Sequence, residues 1–267
     1  MDEAKSKIID LFEKNVKGKK PDTSGKNLRH DGKKGHWLEQ QFGITANGNN
    51  GADLYGYELK DETTSKTTFG DWSANWYIFK DVGYFDLFGG NSSERQNNFC
   101  KIFGKQNIEK GGRYAWSGAC CPKIENYNSF GQKLVVESNS DVSVVYSYSK
   151  DLRENKNTII PSNLQKDQLI IANWFGKALP PNTKGKTLKS KFDDKFNKNG
   201  WFTCKTDSGG VYDKICFGKP MVFENWIEDV KKGVVFFDSG MYEGNKRPYS
   251  QWRASNGYWN NLITEIY

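Results

Sequence analysis

The sequence predicts a mixed α/β protein, an α+β arrangement in which a mixed sheet is flanked by helices and the chain forms two lobes. Three observations predict it. Residues 2–16, DEAKSKIIDLFEKNV, space their apolar side chains as one stripe of a helix. Residues 132–148 and 200–217 each read as two β-rich runs about a polar turn, the pattern of a hairpin. Residues 187–197 and 223–233 return to helical periodicity. With 267 residues, 15% of them aromatic, the chain is long enough to bury a substantial core.

Taken in order, the first helix puts Ala4, Ile8 and Leu11 beside Ile9, Phe12 and Val16, with Asp2 as its cap and a stop near Gly18. A loop dense in Lys and Arg follows and ends at Lys33 and Lys34, which are expected to grip phosphate. His36–Gly43 predicts a short helix, with Leu38 and Phe42 at i, i+4 for burial. Asp53–Lys60 predicts a strand. Along it Glu58 and Lys60 share one face, and Tyr57 and Leu59 take the other. Asp53 has the wrong parity to join Glu58, so a bulge or bend at Gly56 is expected to bring it round.

Residues 71–90 are expected to add another strand or two to the same sheet, with a loop at Gly89-Gly90. Residues 91–104 predict a helix burying Phe99, Ile102 and Phe103. Lys110–Lys123, which includes Arg113, is basic, glycine-bearing and aromatic, and is expected to touch a nucleic acid. The apolar run 167–175 resists assignment. The close reads as a strand-like VVFFDSGMY, a basic loop and a strand QWRAS. No repeat or low-complexity linker interrupts the chain.

The charge balance is +7, with a sequence pI near 8.9, which favours a polyanionic partner. No run of ~18 apolar residues is present, so no membrane span is expected, and the N-terminus lacks a signal-peptide core. Five cysteines without zinc-ligand spacing fit buried thiols in a reducing, cytoplasmic compartment. Two histidines, His30 and His36, leave little for a zinc site or a histidine-based centre. Asp53, Glu58 and Lys60 suit a different chemistry. Two acids can chelate a hard cation such as Mg²⁺, and an ammonium can orient an attacking water at a phosphodiester.

This arrangement, a glycine loop, a helix with Leu38-Glu39, a polar turn and then Asp53…Glu58-Leu59-Lys60, resembles the MvaI/BcnI type of restriction endonuclease. That group belongs to the MutH-like branch of the PD-(D/E)xK nucleases. Ala52 stands where the signature has proline. The resemblance covers most of the chain as pattern and is specific at Glu39, Asp53, Glu58 and Lys60. It implies a PD-(D/E)xK core with a second lobe for recognition, set here approximately at 1–130 for catalysis and 131–267 for recognition, with room for the two to interleave in sequence. It further implies a type II, Mg²⁺-dependent endonuclease of double-stranded DNA, with Mn²⁺ as a substitute, acting as a monomer that nicks the strands in turn. Asp53, Glu58 and the Leu59 carbonyl would hold the metal, Lys60 would position the water, and Glu39 would join the site.

The basic loop after Tyr242 lacks the histidines that group sets beside the bases. It offers Arg247, Tyr249, Gln251 and Arg253 instead, and an arginine fork matches the two acceptors of guanine. Two alternatives stay open on the sequence: a MutH-like repair nickase, which the same residues would serve, and a DNA-binding protein without catalysis.

Overall fold

A computed structural model describes residues 2–22, 24, 33–45 and 50–267. In chain order, α1 (Glu3–Asn15) and α2 (Lys33–Gln41) precede β1 (Tyr57–Lys60), β2 (Lys66–Asp71) and β3 (Trp76–Tyr77). Then come α3 (Phe85–Phe88), α4 (Ser92–Phe103), β4 (Lys105–Asn107), β5 (Arg113–Trp116), β6 (Phe130–Val136) and β7 (Val142–Asp151). Next are α5 (Lys156–Ile159), β8 (Leu169–Trp174), α6 (Leu188–Phe196), β9 (Gly200–Thr206) and β10 (Tyr212–Gly218). The chain closes with α7 (Phe223–Lys231), β11 (Phe236–Ser239), β12 (Met241–Tyr242), β13 (Ser250–Ser255), α8 (Asn256–Asn261) and β14 (Ile263–Ile266).

The chain divides into two compact units that interleave in sequence. One comprises Met1–Thr67, Lys191–Asn225 and Ala254–Tyr267, and the other Thr68–Ser190 and Trp226–Arg253. A single boundary at residue 130 does not describe this division. The reason lies in strand pairing: β1 needs a neighbour, and its neighbour is β9, some 140 residues later in the chain.

The first unit holds a four-stranded sheet of order β1-β9-β10-β14. Its β1–β9 pair is parallel, with Glu58 opposite Trp201 and Lys60 opposite Thr203, and the other pairs are antiparallel. The sheet is therefore mixed, as expected. Tyr57 and Leu59 turn into a core with Ile8, Phe12, Trp37, Leu38, Phe42 and Phe202. Trp37 stacks on Tyr212 at 5.7 Å, and Phe42 meets Phe202 edge-on at 5.1 Å. Asp2 caps α1 as expected by accepting from the Ala4 N–H. On the sheet's opposite face Trp201, Trp259 and Phe196 pack together, at 5.0 Å and 6.1 Å between ring centres.

The second unit is built from antiparallel sheets, β3-β8-β7-β6 and β12-β5-β4, and from the β11–β13 pair. An aromatic core of Tyr77, Phe99, Trp116, Trp174, Phe237 and Trp252 fills it. Buried Gln132 ties two elements together, accepting from Trp116 Nε1 at 2.6 Å and donating to the Phe103 carbonyl at 2.6 Å.

Three expectations change. Residues 71–90 add nothing to the β1 sheet: Lys66–Asp71 and Trp76–Tyr77 pair elsewhere, and most of residues 78–90 form helical turns. Their aromatics serve the second unit's core, a destination that strand propensity cannot specify. The unassigned run 167–175 is β8, buried between β3 and β7. The C-terminal α8 and β14, which the sequence pattern did not resolve, supply a strand to the first unit's sheet. Among the described residues no helix is long and apolar enough to cross a membrane.

Candidate active site

Asp53 and Glu58 come together by a route the strand pattern did not anticipate. Leu54 and Tyr57 exchange both backbone hydrogen bonds, at 3.0 and 2.8 Å, and form an antiparallel bridge. The two residues between them, Tyr55 and Gly56, both have positive φ, 48° and 83°. That is a two-residue hairpin turn of the primed kind, in which the chain reverses. One step outward from the Leu54–Tyr57 pair, Asp53 stands opposite Glu58. Residues opposite one another across an antiparallel pair project to the same face. The parity mismatch is therefore resolved at Gly56, where a bulge or bend was expected, and the form it takes is a full reversal of the chain.

Asp53 is fixed at this position by its own carboxylate, whose Oδ2 accepts from the Leu59 N–H at 3.0 Å. In a strand the N–H and C=O of one residue project to the same edge. Leu59 thus turns its carbonyl toward the open edge of β1 where Asp53 lies, and β9 occupies the other edge. Asp53 is exposed as a residue, but the protein around its carboxyl strips enough water from it to push its pKa up to about 6. The charge of Glu58 adds to the rise, and Lys195 and Lys60 oppose it.

Glu58 is buried, and one oxygen carries all its contacts: Oε1 accepts from Lys60 Nζ at 2.8 Å and from Lys195 Nζ at 2.6 Å. Burial works against its charge, yet the two ammoniums outweigh burial and hold the carboxyl below its ordinary range. Its other oxygen, Oε2, is buried with no hydrogen-bond partner. An anionic oxygen in that condition is costly unless something positive reaches it. Lys60 is itself buried, and its ammonium lies 5.1 Å from the Phe196 ring centre. Desolvation lowers its pKa, against the pull of Glu58.

Lys195 was absent from the sequence-derived set. It lies on α6, which is stitched to the chain entering the turn: the Ala52 N–H donates to the Asp194 carbonyl at 3.1 Å, and Asn50 Nδ2 to the Lys191 carbonyl at 2.6 Å. The Asn199 side chain donates to the Tyr55 carbonyl at 2.8 Å, and the Asn199 N–H donates to the Gly56 carbonyl at 3.1 Å. The helix, the turn and both carboxylates form one assembly.

The oxygen-only donor set of Asp53, Glu58 Oε2 and the Leu59 carbonyl suits a hard divalent cation that retains part of its water shell. Among the described residues no group of three or more His, Cys, Asp or Glu side chains could hold a metal.

The family model of the LlaMI restriction endonuclease matches residues 16–267. The chain belongs to that family. It is 61% identical over 270 residues to the type II restriction enzyme ScrFI of Lactococcus lactis subsp. cremoris, covering all of both chains. It also superposes on restriction endonuclease MvaI, solved in complex with its cognate DNA substrate. The TM-score is 0.60 at 11% identity, over 100% of this chain and 98% of that one, which bears out the expected mixed α/β fold. This member of the LlaMI family is a type II restriction endonuclease, as its sequence resemblance implied.

The other expected residues are spread over both units. Glu39 lies on α2 with its carboxylate 3.1 Å from His36 Nδ1, and is close enough to Asp61 to add to the rise of that carboxyl's pKa, of which burial is the largest cause. No contact joins it to Asp53 or Glu58 among the described residues. Lys34 pairs with Asp61 at 3.4 Å, and Lys33 opens α2. The remainder of the basic loop, residues 25–32, lies outside the described residues. In the second unit Arg113 stacks over Tyr242, 3.5 Å from the ring centre. Arg247 is half exposed, pairs with Asp71 at 2.9 Å and lies over Tyr249 at 4.3 Å. Arg253 is largely covered and pairs with Asp238 on the neighbouring strand at 3.2 Å. Gln251 is opposite that same Asp238.

Proposed function

We propose that this restriction endonuclease hydrolyses phosphodiester bonds of double-stranded DNA with Mg²⁺, which Mn²⁺ can replace, at the Asp53–Glu58–Lys60 cluster. The observation that carries this is the unpartnered buried Oε2 of Glu58 beside Asp53, with the Leu59 carbonyl at the same edge. Asp53, Glu58 and Leu59 would hold the cation. When bound, such an ion neutralises phosphate charge and makes water a stronger nucleophile.

The chain's own residues do the remaining work. Lys60 projects from the same strand face as Glu58, so its ammonium can donate to a water and fix that water's approach to phosphorus. The water oxygen forms the new P–O bond as the bond to the sugar oxygen breaks; the water's surplus proton passes to bulk solvent, and the departing oxygen takes one from it. Burial of Lys60 lowers its affinity for its own proton and eases that donation. Glu39 acts from α2 on the site's surroundings. The first unit is assigned to catalysis and the second to recognition, with Arg247, Tyr249, Gln251, Arg253 and Arg113 as its DNA contacts and Lys33 and Lys34 as phosphate contacts. Following the resemblance to the MvaI/BcnI group, the reading is of a cytoplasmic monomer that nicks the two strands in sequence with the one such cluster present among the described residues.

Plasmid digestion with Mg²⁺ against an EDTA control tests the whole reading. Glu58→Ala and Lys60→Ala should abolish cleavage and leave DNA affinity within about tenfold of wild type, because phosphate contacts elsewhere carry it. Transient nicked circles should appear on a single-site plasmid. Near-normal turnover by either variant would remove this cluster from the chemistry.

A further inference from the structure

The Asp-Glu-Lys triplet alone would carry two carboxylates and one ammonium, a net negative site that attracts a divalent cation. The folded chain adds a second ammonium. Lys195 Nζ is 2.6 Å from Glu58 Oε1, and both side chains are buried or nearly so. The four groups then sum to zero formal charge: Asp53 and Glu58 against Lys60 and Lys195. Position is no accident of a flexible arm, because the backbone of α6 just before Lys195, at Lys191 and Asp194, is hydrogen-bonded to the loop that leads into Asp53. A cation approaching Glu58 meets a carboxylate already shared by two ammoniums, and Lys60 has its place fixed by the strand that also carries Glu58. Lys195 comes from a separate element and is the one able to withdraw along its own side chain.

We propose that Lys195 is an internal counter-ion: it occupies Glu58 when no divalent cation is bound and competes with that cation for the carboxylate. The inference rests on the reading of Asp53 and Glu58 as cation ligands. Its physical basis is that a close ammonium and a divalent ion repel within a partly desolvated site, where such interactions are strong. Opposing roles can be told apart. A lysine that merely positions Glu58 would improve cation binding, whereas a counter-ion weakens it. Removing Lys195 does not strand Glu58 either, since Lys60 still pairs with it at 2.8 Å.

The test is direct titration of the DNA-free protein with Mn²⁺, followed by calorimetry or by the loss of the free-ion paramagnetic signal. Lys195→Met should bind Mn²⁺ at least tenfold more tightly than wild type. Lys195→Arg, which restores the charge, should return to within about threefold of wild type. Glu58→Gln should lose most binding in either background. Circular dichroism and melting curves in EDTA would establish that each variant is folded. Equal or weaker binding by folded Lys195→Met, with wild type still binding through Glu58, overturns the counter-ion role and leaves the cation site standing. Binding that is insensitive to Glu58→Gln overturns both.

Discussion

The turn that sets Asp53 opposite Glu58 makes a two-sided prediction. At Gly56 φ is 83°, and a Cβ built there would lie 2.8 Å from Asn199 Nδ2. Gly56→Ala therefore meets two penalties. The left-handed conformation costs an L-residue roughly 1–2 kcal/mol. Displacing Asn199 from the Tyr55 carbonyl adds about 0.5–1.5 kcal/mol for a lost hydrogen bond. The sum, about 1.5–3.5 kcal/mol, corresponds to a fall of roughly 3–14 °C in melting temperature for a chain of this size. The effect on cleavage should be larger than stability alone explains, because a displacement of about 1 Å in a reacting group can remove a factor of ~10² in rate.

Tyr55 gives the opposite sign. It holds φ at 48° without being glycine, and Asn adopts that conformation more readily. Tyr55→Asn creates the Asn-Gly pair that such turns favour. It also removes an exposed contact with the Lys7 ammonium, 5.7 Å from the ring centre. The net change should be a small gain, up to about 1 kcal/mol, with cleavage intact. Thermal melting and single-turnover cleavage at saturating Mg²⁺ measure both. Gly56→Ala with unchanged rate and stability would refute the claim that this turn places the carboxylate.

Two further outcomes concern the second unit. Arg247→Ala should lose roughly 1–3 kcal/mol against the cognate site and little on random DNA, measured by binding at fixed salt, because its fork is half exposed and already oriented by Asp71. Arg153→Met strands the buried Asp151 carboxylate, which otherwise takes a two-pronged contact from Arg153 and a hydroxyl from Tyr146, and should cost about 3–5 kcal/mol in denaturant unfolding at neutral pH. Burial opposes the Asp151 charge but Arg153 prevails and its pKa is lowered, so wild type holds this stability above the ordinary carboxylate range and loses it as pH falls through the folded pKa. The gap between variant and wild type should therefore narrow on acidification; a gap that widens would contradict the assignment.

The sequence made the first unit's helices legible because their buried faces repeat at a fixed spacing, as Ile8, Phe12 and Val16 do in and just after α1. It made Glu58 and Lys60 legible because strand alternation is a local property. What stayed hidden was non-local. Residues 71–90 have aromatic, strand-like composition, and only the packing of the second unit decides that most of them become turns around Tyr77, Phe79 and Phe88. Arg253 looked like an available fork, but Asp238 lies one strand away and 15 residues back in sequence. The interleaving of the two units follows from β1 pairing with β9, and no composition shift marks it. Lys195 was hidden for a related reason. On α6 the buried stripe is Leu188, Phe192 and Phe196, and Lys191 and Lys195 each stand one position before a buried Phe. Helical periodicity assigns such flanking lysines to solvent, because a long side chain can always reach it.

Lys191 shows what that default misses, and it gives a prediction with a definite pH signature. Burial pushes its pKa down to about 8. In the unfolded chain a lysine titrates near its ordinary value of about 10.4. Below pH 8 both states are protonated, and the folded state holds the ammonium against its burial. Between the two values the folded state has lost the proton and the unfolded state still holds it, so wild-type stability rises with pH across that window. Lys191→Met keeps the side chain's length and discards the charge. At pH 7 it should be more stable than wild type by about 1–3 kcal/mol, the upper figure reduced because the group is not sealed from water. By about pH 10 the advantage should have mostly gone. Urea midpoints at both pH values decide it, since a change in stability at constant slope moves the midpoint directly. A lower midpoint for Lys191→Met at pH 7 would mean that the ammonium's interactions in the folded state outweigh its burial, and the physical account of this flank of α6 would have to be reversed.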